Sequence, residues 1–277
     1  KVREQYEQNP YPRWRYTNMS LPNNFFRWIN TEIKPNKIDY NKNFDKPNVL
    51  IAGGGTGKHT ISATKYENAE ILAVDLSLTS LAYSKRKTDE LGLKNIEYLQ
   101  ADILQLKKLN RKFDIIECSG TLHHMKDPVA GLKVLSDILQ PHGYLKLGLY
   151  SQDARKHVAK VKEFIKKENF NNTLEDIRAC RQVLINKSKD KLLHRAAFGF
   201  DFYSTSSVRD LLFHVQEHRY KLPQISKILK DLNLEFLGFI YPNPLTKKEF
   251  SKLFPDDVDN ISLNNWHKFE EKYPDTF

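Results

Sequence analysis

The sequence predicts an α/β fold with a doubly wound parallel sheet, and three observations carry that reading. Between residues 48 and 150, short apolar runs rich in β-branched residues alternate with helical segments, which is the pattern of βαβ units. The first run ends in a glycine-rich loop, IAGGGTGKHT at residues 51–60. The later runs end in acids or small polar residues, at the strand ends where such sheets hold ligands.

The elements follow in order. VLIAG is the first strand, and a helix starts at about His59. EILAVD is the second strand; Ser77 or Thr79 can cap the next helix, which runs from about Thr79 to Gly92. IEYLQAD and FDIIECSG are strands three and four. A helix from about Pro128 to Leu139 is stopped by Gln140-Pro141-His142-Gly143 before the fifth strand, YLKLGLY. Residues 1–45 are aromatic, Pro-rich and Asn-rich. From residue 151 to about 233 the patterns are helical, in ARKHVAKVKEFIKK, LEDIRACRQVLI, SSVRDLLFHVQ and PQISKILKDL, with apolar residues at i, i+3 and i+4. LEFLGFI at 234–240 reads as one further strand able to return to the sheet. The domain reading is therefore an N-terminal segment 1–45, a core 46–150, a helical cap 151–233, and a return strand with a C-terminal segment at 234–277.

Composition narrows the function. A chain of 277 residues, 40% hydrophobic, can bury a full core. No uncharged apolar stretch approaches the roughly 18 residues of a membrane span, and KVREQYEQNP has no apolar signal region, so the expected location is cytoplasmic. Lys1 in place of a Met suggests a piece of a longer polypeptide. Cys118 and Cys180 form no CxxC metal pattern, and buried thiols are the simpler reading. The net charge of +10 is spread as +4, +2 and +4 over residues 1–44, 45–150 and 151–277. Lys85-Arg86-Lys87 therefore reads as a solvated helix face and not as a phosphate track.

The glycine loop nearly matches two nucleotide motifs. A Walker A loop needs Gly and Ser or Thr where Ala52 and His59 stand, and the dinucleotide fingerprint needs Gly where Lys58 stands. The remaining G-x-G-x-G is compatible with a ligand loop or with a plain tight turn. The strand ends discriminate between the two. Asp75 follows strand two, Asp102 follows strand three, and Ser119-Gly120-Thr121-Leu122-His123-His124 follows strand four. A carboxylate about 20 residues beyond the glycines suits the two hydroxyls of a ribose. A second acid after strand three suits an adenine amino group, which a hydride-transfer enzyme would leave unexplained. Caps for local turns are the alternative for both acids.

With IAGGGTGKH, AVDLS, QADI, FDIIECSGTLHHMKDP and LQPHGYLKLGLY in this order, residues 48–150 resemble the class I S-adenosylmethionine-dependent methyltransferases. YEQNPYPRW, AYSKRKTDELGLKNIEYLQADI and DFYSTSSVRDLLFHVQEHRY extend the likeness to the methyltransferase domain found alone or attached to tetratricopeptide repeats in bacterial proteins; no such repeats occur here. The resemblance implies a Rossmann-like core that binds S-adenosylmethionine and releases S-adenosylhomocysteine. It implies that Gly53, Gly54, Gly55 and Gly57 carry the cofactor loop, Asp75 binds the ribose, Leu76 flanks the adenine, Asp102 and the amide of Ile103 read its edge, and Ser119 lies near the methionine half. His142 and Gly54 depart from the commoner residues. No pattern for the family's last, antiparallel strand is found after LEFLGFI, so that strand is expected to lie beyond Phe277, to be atypical or to be missing.

Methyl transfer needs alignment and exclusion of water, with a base only for an acceptor that keeps a proton. Candidates are His123, His124, Tyr203, His214 and Glu217, with His218 beside them. HVQEHR lacks the H-E-x-x-H order, so no metal is expected. Tyr6, Tyr11 and Trp14 suit a lid over the cofactor, and Arg13 or Arg15 could meet an anionic acceptor; an aromatic strap packed on the sheet is the alternative. A helical cap favours a small-molecule acceptor. A polypeptide acceptor and a cofactor-binding module without catalysis remain alternatives, while thin positive charge disfavours nucleic acid.

Overall fold

The computed structural model of the chain describes residues 1–38, 44–186, 190–197, 199–240 and 244–277. Five strands, β1 (Asn48–Ala52), β2 (Glu70–Asp75), β3 (Ile96–Gln100), β4 (Phe113–Ser119) and β5 (Leu139–Gly148), pair in parallel in the order β3-β2-β1-β4-β5. This is the doubly wound arrangement expected from the alternating pattern.

Strand residues alternate between two cores because successive side chains leave opposite faces of a sheet. Leu50, Ala52, Leu72, Val74, Ile116 and Cys118 join Leu132, Leu135 and Ile138 of helix α5 (Pro128–Ile138) on one face. Val49, Ile51, Ile71 and Ile115 join Phe25 and Phe26 on the other. These two aromatics open α2 (Phe25–Glu32), which Asn24 caps by accepting from the Phe26 amide at 2.9 Å. The N-terminal region therefore supplies a wall of the sheet's second face. Helices α3 (Lys58–Ala63) and α4 (Leu78–Glu90) follow β1 and β2; Ser77 is the N-cap of α4, accepting from Ser80 N–H at 3.1 Å.

Beyond the sheet, α6 (Lys156–Lys167), α7 (Leu174–Asn186), α8 (Lys191–Ala197) and α9 (Thr205–Phe213) enclose a third core around Val158, Val161, Ile177, Cys180, Leu184 and Val208. In α10 (Leu222–Asp231), Ile228 packs back onto the α5 side of the sheet while Leu222 joins a fourth core. That core holds Phe250 of α11 (Pro244–Leu253) and Trp266 and Phe269 of α12 (Leu263–Lys272).

Two local expectations are corrected. LEFLGFI forms no strand. Phe236 and Phe239 turn to the aromatic cluster of Trp266 and Phe277, Gly238 sits at φ +139°, and the Leu237 carbonyl accepts from Asn36 Nδ2 at 2.8 Å instead of from a strand. The Gln140-Pro141-His142-Gly143 stop belongs to β5. The register jumps from Phe113↔Leu139 to Ile115↔Tyr144, so these residues form a bulge, with His142 at φ +61°.

Candidate functional site

The carboxyl ends of β1, β2, β3 and β4 present their loops along one edge of the sheet, as parallel pairing requires. Gly53 and Gly54 N–H groups both donate to the Val74 carbonyl, at 2.8 and 2.9 Å, which ties the glycine loop to β2. At Gly53 (φ +84°) a Cβ would lie 1.9 Å from Thr121 Oγ1; at Gly57 (φ +99°) it would lie 2.3 Å from Ser84 Oγ. Glycine is thus demanded there by the protein's own neighbours as well as by left-handed backbone.

Asp75 closes the loop. Its Oδ2 accepts from Gly55 N–H and its Oδ1 from Ser77 N–H, both at 2.8 Å. A carboxylate has about four acceptor positions, so these bonds leave acceptor capacity for a ligand hydroxyl. Burial pushes the Asp75 carboxyl up, against the lowering effect of these amides. Leu76 beside it is half-buried, and its carbonyl accepts from Gln100 Nε2 at 3.0 Å. Asp102 is the N-cap of the 3-10 helix Ile103–Leu109, accepting from Leu104 N–H at 2.9 Å. The cap reading of this acid is therefore realised, and the Ile103 amide stands at a helix start where no preceding intrahelical carbonyl serves it. Ser119 ends β4 against Gly148, where an added Cβ would sit 3.0 Å from its Oγ.

The first fifteen residues lie over this edge. In α1 (Val2–Gln8), the Glu7 carboxylate accepts from the Leu78 and Thr79 amides at 2.9 and 3.0 Å and from the Thr79 hydroxyl. Thr56 donates from its hydroxyl to the Pro12 carbonyl at 2.6 Å, and Trp14 Nε1 donates to the Thr56 carbonyl at 3.1 Å. The Tyr11 carbonyl lies 2.9 Å from a Cβ position on Gly55. The same segment reaches the helices beyond the sheet: Tyr6 donates to Asp210 Oδ1 at 2.8 Å, Tyr11 to Asp201 Oδ1 at 3.4 Å, and Arg209 to Asn9 Oδ1.

Three of the candidate catalytic residues meet under α1. His123 and His124, in the 3-10 turn after β4, contact each other and Tyr150, and His124 stacks on His214 with centroids 3.6 Å apart. Burial lowers all three imidazoles, His123 and His214 to about 3 and His124 to about 4, so all are neutral near pH 7. Glu217 stands apart as an ion-pair anchor. Burial opposes its charge, yet Arg155 at 3.0 Å and Lys162 at 2.9 Å hold its carboxyl at about 2. Tyr203 is 74% exposed and joins none of these contacts.

Sequence reasoning missed Asp210. Burial raises its carboxyl to about 6, with Asp201 adding to the rise while Tyr6, Arg155 and Lys162 oppose it. Its signal was the i, i+4 spacing to His214, which puts both on one helical stripe. Tyr150 was missed as well; it lies between His123, at 3.7 Å, and the Arg155 guanidinium, at 3.6 Å.

Residues 43–199 match a family model described as a methyltransferase domain. An uncharacterized protein of Synechococcus is 28% identical over 202 residues, 70% of this chain and 48% of that protein. A demethylmenaquinone methyltransferase of Staphylococcus saprophyticus is 32% identical over 93 residues, 33% of this chain and 39% of that enzyme. In fold, the chain is similar to PKMT2 from Rickettsia typhi, solved in complex with AdoHcy, with a TM-score of 0.68 at 20% identity over 94% of this chain and 53% of that one. The chain spans about half the length of these relatives, or less.

Proposed function

Because the chain belongs to the methyltransferase-domain family, whose model spans more than half of it, we propose that it moves a methyl group from S-adenosylmethionine to a small-molecule acceptor held beneath the helices that follow β5. The observation that carries the cofactor assignment is Asp75. Its carboxylate is fixed by the Gly55 and Ser77 amides with lone pairs to spare, at the end of β2 and beside the glycine loop, as two vicinal ribose hydroxyls require. Asp102 and the Ile103 amide stand at the next strand end for the adenine edge. Bound there, the cofactor supplies an activated methyl; the protein's part is to hold it, orient the acceptor and exclude water.

Support for a small acceptor comes from enclosure. The residues beyond β4 that meet under α1 are mostly buried, and Tyr6 and Tyr11 tie that segment to Asp210 and Asp201. Relatives named for demethylmenaquinone and ubiquinone-pathway methylation agree with this reading. A polypeptide acceptor is the second reading, favoured by an open polar cleft of about 640 Å³ lined by Lys156, Lys160, Glu163 and Arg219.

The test is calorimetric titration with S-adenosylmethionine, S-adenosylhomocysteine, NAD and ATP. The expected outcome is binding of the first two alone, and at least a 100-fold loss of affinity in Asp75→Ala, comparable to the loss of two charge-assisted hydrogen bonds. Binding of only NAD or ATP ends the methyltransferase reading.

A further inference from the structure

One residue fixes the protons of two stacked histidines. Gln216 N–H donates to His214 Nδ1 at 3.1 Å, so that nitrogen carries no proton and the neutral ring carries it on Nε2. The Gln216 carbonyl lies 2.7 Å from His124 Nδ1; a carbonyl only accepts, so His124 is protonated at Nδ1 and leaves a lone pair at Nε2. His214 Nε2 is buried and has no hydrogen-bond partner among the described residues. A buried donor left in that state is costly unless a ligand or water meets it. Asp210 brings a carboxylate to the same place: one nitrogen of each histidine and one of its oxygens all lie within 4.8 Å of one another.

These groups select a chemistry. The His124 lone pair and the Asp210 carboxylate call for a ligand that donates a proton, while His214 Nε2–H calls for one that offers a lone pair. An ammonium has no lone pair to give, and a carboxylate has no proton. A metal cation on His214 Nε2 would need that nitrogen stripped of its proton while Nδ1 stays engaged with Gln216. A neutral amine has one lone pair, and using it for His214 removes its nucleophile. A hydroxyl oxygen has two lone pairs and a proton.

Resting on the methyltransferase reading above, we propose that His124, Asp210 and His214 form the subsite for a hydroxyl acceptor, with Asp210 as the base that takes its proton. The acceptor O–H bond breaks with its proton passing to a carboxylate oxygen of Asp210. An oxygen lone pair forms the O–CH₃ bond, and the pair of the broken S–CH₃ bond stays on sulfur, which becomes a neutral thioether. Around Asp210 stand Tyr6 from α1, Tyr11 beyond it, Tyr150 after β5, Asp201 before α9, Arg155 at the N-cap of α6, Lys162 within α6, and the two histidines. A carboxyl at about 6 in that setting is ionised at pH 7 and remains a better base than an ordinary carboxylate.

The full chain, loaded with S-adenosylmethionine bearing a ¹³C-methyl, is offered phenol and catechol in one series and aniline and benzylamine in another. S-adenosylhomocysteine binding is measured on the same preparation. Methyl ethers are expected without N-methyl products. The rate should fall about 100-fold or more in Asp210→Asn at unchanged S-adenosylhomocysteine affinity, as for loss of a general base, and in the native chain kcat/KM should decline below about pH 6. His214→Phe should raise KM for the phenols, with partial rescue by His214→Gln. Long-range ¹H–¹⁵N spectra should give opposite tautomers for His124 and His214, with both signals moved by phenol. N-methylation in place of O-methylation, an Asp210→Asn rate equal to the native one, or histidine signals unmoved by phenol with no ether formed, each overturns the proposal. Failure of the native chain to bind S-adenosylhomocysteine instead overturns the methyltransferase reading.

Discussion

Gly53 is held at φ +84° with Thr121 packed where its side chain would be. Gly53→Ala adds both left-handed strain and a clash, for a loss of about 3 kcal/mol. Thr121→Ala in the same chain removes the Oγ1 at 1.9 Å and the methyl at 2.6 Å but keeps Cβ at 2.7 Å, so it should return only part of that stability. Urea unfolding of the two single variants and the double variant measures the coupling, which should exceed about 1 kcal/mol for groups in direct contact; additive losses would contradict the packing argument. At this scale, what the sequence made legible was local: the glycines, Asp75 and Asp102 lie at strand ends that the chain order itself defines. Asp210 was legible only as an acid one helical turn before His214, because its meaning comes from Tyr6, 204 residues away, and from a tautomer set by Gln216.

Among the elements, α4 shows how a distant segment completes a helix. Ser77 caps it locally through its hydroxyl, and Glu7 supplies a carboxylate to the Leu78 and Thr79 amides, at the end where the helix dipole favours negative charge. Hydrogen bonds from Thr79, its hydroxyl first, and from Leu78 bring the Glu7 carboxyl down to about 2 from an ordinary 4.5. A lowered acid stabilises the attachment of α1 fully above about pH 4.5, and this contribution is lost as pH falls through about 2. The Leu78 and Thr79 amide resonances should therefore titrate with a midpoint near 2, and Glu7→Gln should abolish that titration; a midpoint near 4.5 would show that the contact does not form. The strands and α4, α5, α6, α7, α9 and α10 were legible from periodicity. The short α1 and α8 show too few turns for a pattern. LEFLGFI has strand composition, but Phe236 and Phe239 gain more by joining Trp266 than by extending the sheet, and no local signal encodes that choice.

Over the whole molecule, the sheet and the helices of residues 156–213 bury separate apolar cores. Residues 6–14 bond to the glycine loop at Thr56, to α4 at Leu78 and Thr79, and to the helical body at Asp201, Arg209 and Asp210. A ligand resting on the glycine loop, as the proposed function requires, would lie beside a segment anchored at both sides. On the proposed function, we predict that departure of the spent cofactor is the slow event of each cycle. Rapid mixing should reveal a first turnover faster than those that follow, a pre-steady-state burst of one methylated product per chain. Asn9→Ala, which cuts the tether to Arg209, should raise the steady rate while leaving the burst amplitude unchanged.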